Sequence, residues 1–150
     1  MKKKPYILPR GIIPVRYKIE LTPNFKNFTF KGEEEIELKI VKNTKRIILN
    51  SMDLDIILCE LDHKKSNKIS FNKKTQTVAF FFNENIKKGN RKLSIKFKGK
   101  LNENMRGFYK SVYVLPNGEK RIMATTQFEA NDARRCFPCF DEPDLKAVFE

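Results

Sequence analysis

Few side chains in this sequence combine a reactive type with a useful spacing, and their arrangement narrows the chemistry open to them. The single histidine, His63, stands in a Lys-rich stretch that reads as an exposed turn. One imidazole cannot supply the paired histidines of a His-Glu-x-x-His zinc hydrolase, nor a Ser-His-Asp triad without a suitably placed loop. The six glycines are scattered, so there is no Gly-rich cradle for phosphate. Cys136-Phe137-Pro138-Cys139 has the spacing of a redox pair. Such a pair opens a helix after a strand, whereas here Phe140-Asp141-Glu142-Pro143 follows, and a proline holds its preceding residue extended. Cys59 alone cannot complete a zinc knuckle, so the thiols read as buried packing groups. Asp141 and Glu142 are adjacent and on an extended chain point to opposite faces, which rules out an acid/base couple. One of them is expected to pair with Arg134 or Arg135 and hold the proline-rich turn.

The segment Thr126-Gln127-Phe128-Glu129-Ala130 differs in kind. On a strand, Gln127 and Glu129 would share one face while Phe128 faces the core. An amide and a carboxylate would then project together, either as an ordinary solvated face or as a binding pair. Glu129 has the chemistry to hold a cationic amine, such as a peptide's free α-amine, whose ordinary pKa of about 7.7–8.0 leaves it largely protonated at neutral pH. Gln127 could add donor and acceptor contacts beside it.

Positioning these residues falls to strands. In Ile13-Pro14-Val15-Arg16-Tyr17-Lys18-Ile19-Glu20-Leu21 apolar residues alternate with mostly polar ones, and Pro23 is expected to close the strand. A second alternation runs from Phe28 to Ile40, interrupted at Gly32 and Glu34, where a bend or bulge is expected. Residues 47–49, 53–61, 68–71, 76–82 and 92–97 read as further strands, separated by turn chemistry such as Lys64-Lys65-Ser66-Asn67 and Lys88-Gly89-Asn90. Phe80-Phe81-Phe82 reads as a strand buried on both faces. No segment keeps a 3.6-residue period over three turns; Asn131 or Asp132 could cap one helical turn at Ala133-Arg134-Arg135. Short strands at close intervals imply an all-β fold, an antiparallel sheet or sandwich.

The chain's 150 residues, 40% of them hydrophobic, suit one domain with a sizeable core. No apolar run approaches the roughly 20 residues of a membrane helix. The Met1-Lys2-Lys3-Lys4 start is followed by Pro5, Tyr6 and Arg10 instead of a secretory apolar stretch, and the three cysteines are odd in number. A cytoplasmic location is the expectation. The formal charge of +13 comes from 23 Lys against 8 Arg, spread from Lys2 to Lys146. Specific phosphate recognition leans on the arginine fork, so this charge reads as a solvated surface and not as a site specific for nucleic acid.

Three blocks together carry a resemblance: Met123-Ala124-Thr125-Thr126-Gln127-Phe128-Glu129-Ala130, Asp132-Ala133-Arg134-Arg135, and Phe137-Pro138-Cys139-Phe140-Asp141-Glu142-Pro143. Upstream, Leu8-Pro9, the Pro14-x-x-Tyr17-x-Ile19-x-Leu21-x-Pro23 alternation, Phe30-x-Gly32, Leu49-Asn50 and Met105-x-Gly107-Phe108-Tyr109-Lys110-Ser111 extend it over nearly the whole chain. The sequence resembles the N-terminal region of the aminopeptidase N family of zinc metallopeptidases, its puromycin-sensitive branch above all. The resemblance implies a saddle-like β-sheet domain over residues 1–150, incomplete at its C-terminal end, that leans on a catalytic domain absent here. It also implies that Glu129 binds the substrate α-amine with Gln127 beside it, and that zinc belongs to the full-length enzyme and is not bound by this chain. Peptides with a free N-terminus and the missing catalytic domain are the implied partners. Cys136 departs from the small alanine usual in relatives. A stand-alone, non-catalytic β-domain that binds peptides or a partner protein is the alternative.

Overall fold

The computed structural model describes residues 6–150, so the basic Met1-Lys2-Lys3-Lys4 start and Pro5 lie outside the described residues. Along the chain run β1 (Ile12–Asn24), β2 (Thr29–Ile40), β3 (Thr44–Asn50), β4 (Leu54–Leu61), β5 (Lys64–Lys65), β6 (Lys68–Asn72), β7 (Thr77–Ile86), β8 (Gly89–Lys100), β9 (Gly107–Val114), β10 (Lys120–Gln127), a 3-10 turn at Ala133–Arg135, and β11 (Val148–Phe149). They form a six-stranded sheet in the order β11-β1-β2-β8-β4-β5, a three-stranded sheet β3-β7-β6, and the two-stranded hairpin β9-β10. The all-β expectation holds. Pairing is antiparallel except at β11, which lies parallel to β1 with Val148 opposite Arg16.

Strand β8 shows why these residues make a sheet. Leu93, Ile95 and Phe97 are buried on one face. On the opposite, solvent face Lys92 and Lys96 reach across to Glu35 at 2.8 Å and Glu33 at 2.9 Å on β2. Exposed cross-strand pairs of this kind are worth about 0.2–1 kcal/mol each, so the buried face sets the fold and the charges tune the register. The inner faces of the large and three-stranded sheets share one apolar cluster that includes Tyr17, Ile36, Leu93, Leu49 and Phe80.

The interruption at Gly32 and Glu34 is not a bulge: pairing of β2 with both neighbours runs through it without a shift. Gly32 lies opposite Phe97, and Phe30 lies opposite Gly99. A Cβ on Gly32 would fall 2.2 Å from the Phe97 ring, and one on Gly99 would fall 2.4 Å from Phe30. Each ring fills the place of a missing side chain, and the two rings meet edge to face at 6.5 Å. The irregularity occurs instead between Pro14 and Arg16. Pro23 does not end β1 either. Ile19 donates its N–H away from β2, to the Glu150 carbonyl, and by alternation Pro23 faces the same side, where the missing donor leaves no ladder position empty.

The expected turn at Lys64–Asn67 is displaced. Asp62 and His63 make the turn, with φ of 47° and 67°, and Lys64–Lys65 pair back onto Glu60 and Leu61. In β7, Phe80 is fully buried and Phe82 nearly so, whereas Phe81 is half-buried under the Lys68 ammonium, 5.8 Å from its ring centroid. That strand is therefore less enclosed than a strand buried on both faces.

Candidate functional site

The hairpin β9-β10 carries the candidate residues at its open end. Gln127 is the last residue of β10 and pairs with Gly107, the first of β9. The strand stops there, so Glu129 does not follow Gln127 on a strand face as alternation requires; it stands in the turn that leaves the hairpin. The turn is closed by the Asp132 N–H, which donates to the Phe128 carbonyl at 2.8 Å. Phe128 is half-buried against Phe137, ring centroids 5.8 Å apart and nearly perpendicular. Glu129, Ala130 and Asn131 are exposed, and the Glu129–Ala130 peptide bond is cis. Gln127 Oε1 accepts the Phe128 N–H at 3.1 Å, which leaves its amide NH2 pointing donors elsewhere.

The segment after the turn is fastened at many points. Asp132 precedes the 3-10 turn without capping it through its side chain. Its Oδ1 instead accepts Arg135 Nε at 2.8 Å, and Arg135 Nη1 also pairs with Asp53. The buried Arg134 donates Nε to Asp141 Oδ2 at 2.8 Å and Nη1 to Gln76 Oε1 at 3.1 Å, while its carbonyl accepts the Met52 N–H at 2.8 Å. Asp141 is thus the carboxylate that pairs with Arg134 and holds the proline-rich turn. Glu142 accepts the Leu8 N–H at 2.7 Å and pairs with Arg10 at 2.9 Å.

Two residues that alternation reads only as strand positions tie this segment to the sheets. Asn50, at the end of β3, exchanges backbone hydrogen bonds with Cys139 at 2.8 and 3.0 Å and accepts the Asp141 N–H on Oδ1 at 3.1 Å. Tyr17 on β1 accepts the Phe140 N–H on its hydroxyl at 3.1 Å. Burial pushes that phenol's pKa well up, so it stays a neutral hydroxyl. The sequence signal for both was weak: a tyrosine among apolar residues and an asparagine at a strand end.

The remaining candidates are structural. Cys59, Cys136 and Cys139 are free and buried. Burial raises all three thiols, Cys136 to about 12, so none is a thiolate near neutral pH. His63 is exposed in its turn. Among the described residues no group of three or more His, Cys, Asp or Glu is placed to hold a metal ion. The described residues do not fit a zinc site. No helix among the described residues is long and apolar enough to cross a membrane.

The all-β, multi-sheet architecture matches the saddle-like N-terminal domain that the resemblance implies, with the exposed Glu129 at the exit of the β9-β10 hairpin. The profile of the Peptidase M1 N-terminal domain matches residues 13–150, and the chain belongs to that family. It is similar to Aminopeptidase 2 of Candida albicans, 41% identical over 150 residues that cover 99% of this chain and 16% of that protein. Against the mitochondrial Aminopeptidase 2 of Saccharomyces cerevisiae it is 44% identical over 148 residues, 95% of this chain and 16% of the relative. The alanine/arginine aminopeptidase of the same yeast is 40% identical over 149 residues, 95% of this chain and 17% of the relative. The chain therefore spans about a sixth of the length of the relatives it matches.

Proposed function

We propose that this chain is the substrate-anchoring N-terminal domain of a zinc-dependent aminopeptidase that removes single residues from peptide N-termini. The observation that carries the reading is the setting of Glu129: an exposed carboxylate on a short turn, with one root in the β9-β10 hairpin and the other clamped by Arg134 and Asp141. Such a carboxylate accepts hydrogen bonds from a peptide's ammonium without first ordering a flexible loop, which removes part of the entropic cost of binding. The free amide donors of Gln127, two residues away, suit the first residue's carbonyl. An anion fixed at the substrate's N-terminus sets the register, so that the bond presented for cleavage is the first one. Water activation by zinc is the chemistry that residues beyond this chain would supply.

The test is a titration of isotope-labelled chain with alanine amide and with N-acetylalanine amide, followed at Gln127 and Glu129. Alanine amide should shift both resonances and the acetylated compound neither. The alanine amide effect should fade as pH rises past about 8, where the amine loses its proton. Equal responses to the two compounds would remove the amine anchor from the proposal.

A further inference from the structure

The three-stranded sheet has an edge that the rest of the described chain leaves open. In β3, Asn50 turns its backbone N–H and C=O away from β7, to Cys139, whereas the next residue, Ser51, donates inward to Gln76. Residues two apart on a strand present their backbone groups to the same side, and the β3-β7 register is unbroken from Arg46 to Asn50. Ile48 therefore turns its N–H and C=O to the same outer edge as Asn50. At Arg46 the matching groups are taken by the Thr44 hydroxyl, at 3.2 Å for the N–H and 3.0 Å for the carbonyl. Among the described residues Ile48 is left as an unfilled ladder position, directly in line with the strand-like contact made by Cys139.

Ile48 opens on a cleft of about 600 Å³ whose walls include Ile12, Phe140, Arg10, Lys42 and Arg46. Arg10 is balanced by Glu142 and Asp144. Lys42 and Arg46 are exposed and form no ion pair among the described residues. The cleft thus combines an unpaired backbone donor and acceptor, an apolar floor and uncompensated positive charge. Cations on an edge strand repel another basic strand, and they attract an acidic one.

We propose that this edge binds an extended acidic peptide segment, which adds as a strand beside β3. Its backbone exchanges hydrogen bonds with Ile48, alternate apolar side chains rest on Ile12 and Phe140, and the intervening carboxylates meet Lys42 and Arg46. A phosphodiester backbone would satisfy the cations but, unlike a peptide backbone, offers no donor and acceptor at strand spacing for the Ile48 C=O and N–H. The site is independent of the amine anchor, because an internal segment or a blocked peptide serves it equally.

The probe is the N-acetylated, C-amidated hexapeptide Val-Asp-Val-Asp-Val-Asp, compared with its Val-Lys counterpart and with an oligothymidylate of equal charge. The acetyl group removes any contribution from an α-amine at Glu129. With the acidic peptide the Ile48 amide should shift and exchange its hydrogen more slowly. Arg46→Glu should weaken binding by about tenfold, and Arg46→Lys should restore most of it. Ile48→Pro, which removes a donor that bonds nothing in the described chain, should abolish binding while the spectrum of the large sheet is retained. The proposal is overturned if the Ile48 amide is unaffected at saturation, if Arg46→Glu binds equally well, or if the basic peptide binds as well as the acidic one. Full competition by the oligothymidylate, which would mark a generic anion surface, also overturns it. So does concentration-dependent protection of Ile48 without peptide, because a second copy would then be the occupant.

Discussion

Gly107 is where one residue controls the geometry of the candidate site. It has φ of +67°, it lies opposite Gln127, and a Cβ there would sit 2.5 Å from the Arg135 Cβ. Gly118, in the far turn of the same hairpin, has φ of +84° but open space around it. Substituting alanine at Gly118 tests backbone strain alone, with an expected cost of about 1 kcal/mol, whereas Gly107→Ala adds a steric clash and should cost about 2–4 kcal/mol. Urea denaturation of the two variants measures the difference; equal midpoints would mean that the packing of Arg135 on Gly107 contributes nothing. Charge at this scale follows the same logic of surroundings. Glu129 is exposed and open to a ligand, while Asp141 and Asp132 are spent on arginines within the fold.

Among the elements, β2 carries a buried acid that no partner relieves. Glu34 is 4% exposed on the core face, and neither of its carboxyl oxygens has a hydrogen-bond partner among the described residues. Burial raises its pKa well above the ordinary 4.5, so the folded chain holds this proton more tightly than the unfolded one. The titratable groups that feel its charge are Tyr17 from β1, Cys59 from β4, and Cys136 and Cys139 from the loop, all raised by burial themselves. A raised acid contributes its full stability below the unfolded value and loses it as pH climbs toward the folded value. Stability should therefore fall as pH rises above 4.5, and Glu34→Val should remove that slope and stabilise the chain near neutrality by about 1–3 kcal/mol. Denaturation midpoints across pH 4 to 8 check this; a variant with the parent's pH slope would contradict it. The loop behind Glu129 should behave in the opposite way. Arg134→Met strands the part-buried Asp141 carboxylate and should cost about 3–5 kcal/mol, and adding Asp141→Asn should recover part of the loss, because the two act as one unit. Strictly additive losses would show that they do not.

For the molecule as a whole, the sheet architecture was legible wherever one face is buried and the other wet. The alternation in β2 and β8, and in β1 from Tyr17 onward, survives almost residue for residue, because burial on one face is written into every second side chain; ahead of the irregularity between Pro14 and Arg16 it is reversed, with Ile12 and Pro14 buried and Ile13 and Val15 exposed. Legibility failed where a residue's reason lies across the chain. Gly32 reads as a break until Phe97 is found above it, and Pro23 reads as a stop until its nitrogen is seen to lie on the side of β1 turned away from β2. The β9 strand escaped because its Val112, Tyr113 and Val114 form a continuous exposed run, not an alternation. At the site, the identity of Gln127 and Glu129 came from the sequence, but their relation did not: the strand ends between them, and the clamp of Asn50, Tyr17, Arg134 and Asp141 joins segments up to 123 residues apart. The central claim is that Glu129 holds the substrate's amine. Its most direct measurement replaces the matching N-terminal segment of the Saccharomyces cerevisiae Aminopeptidase 2, 44% identical over 148 residues, with this chain and compares kcat/KM on an aminoacyl substrate with and without Glu129→Ala. The chimera with Glu129 should be active, and the alanine variant should lose about thirtyfold or more, the usual consequence of removing one partner of a hydrogen-bonded charge pair. An active chimera whose kcat/KM is unchanged by Glu129→Ala would contradict the claim.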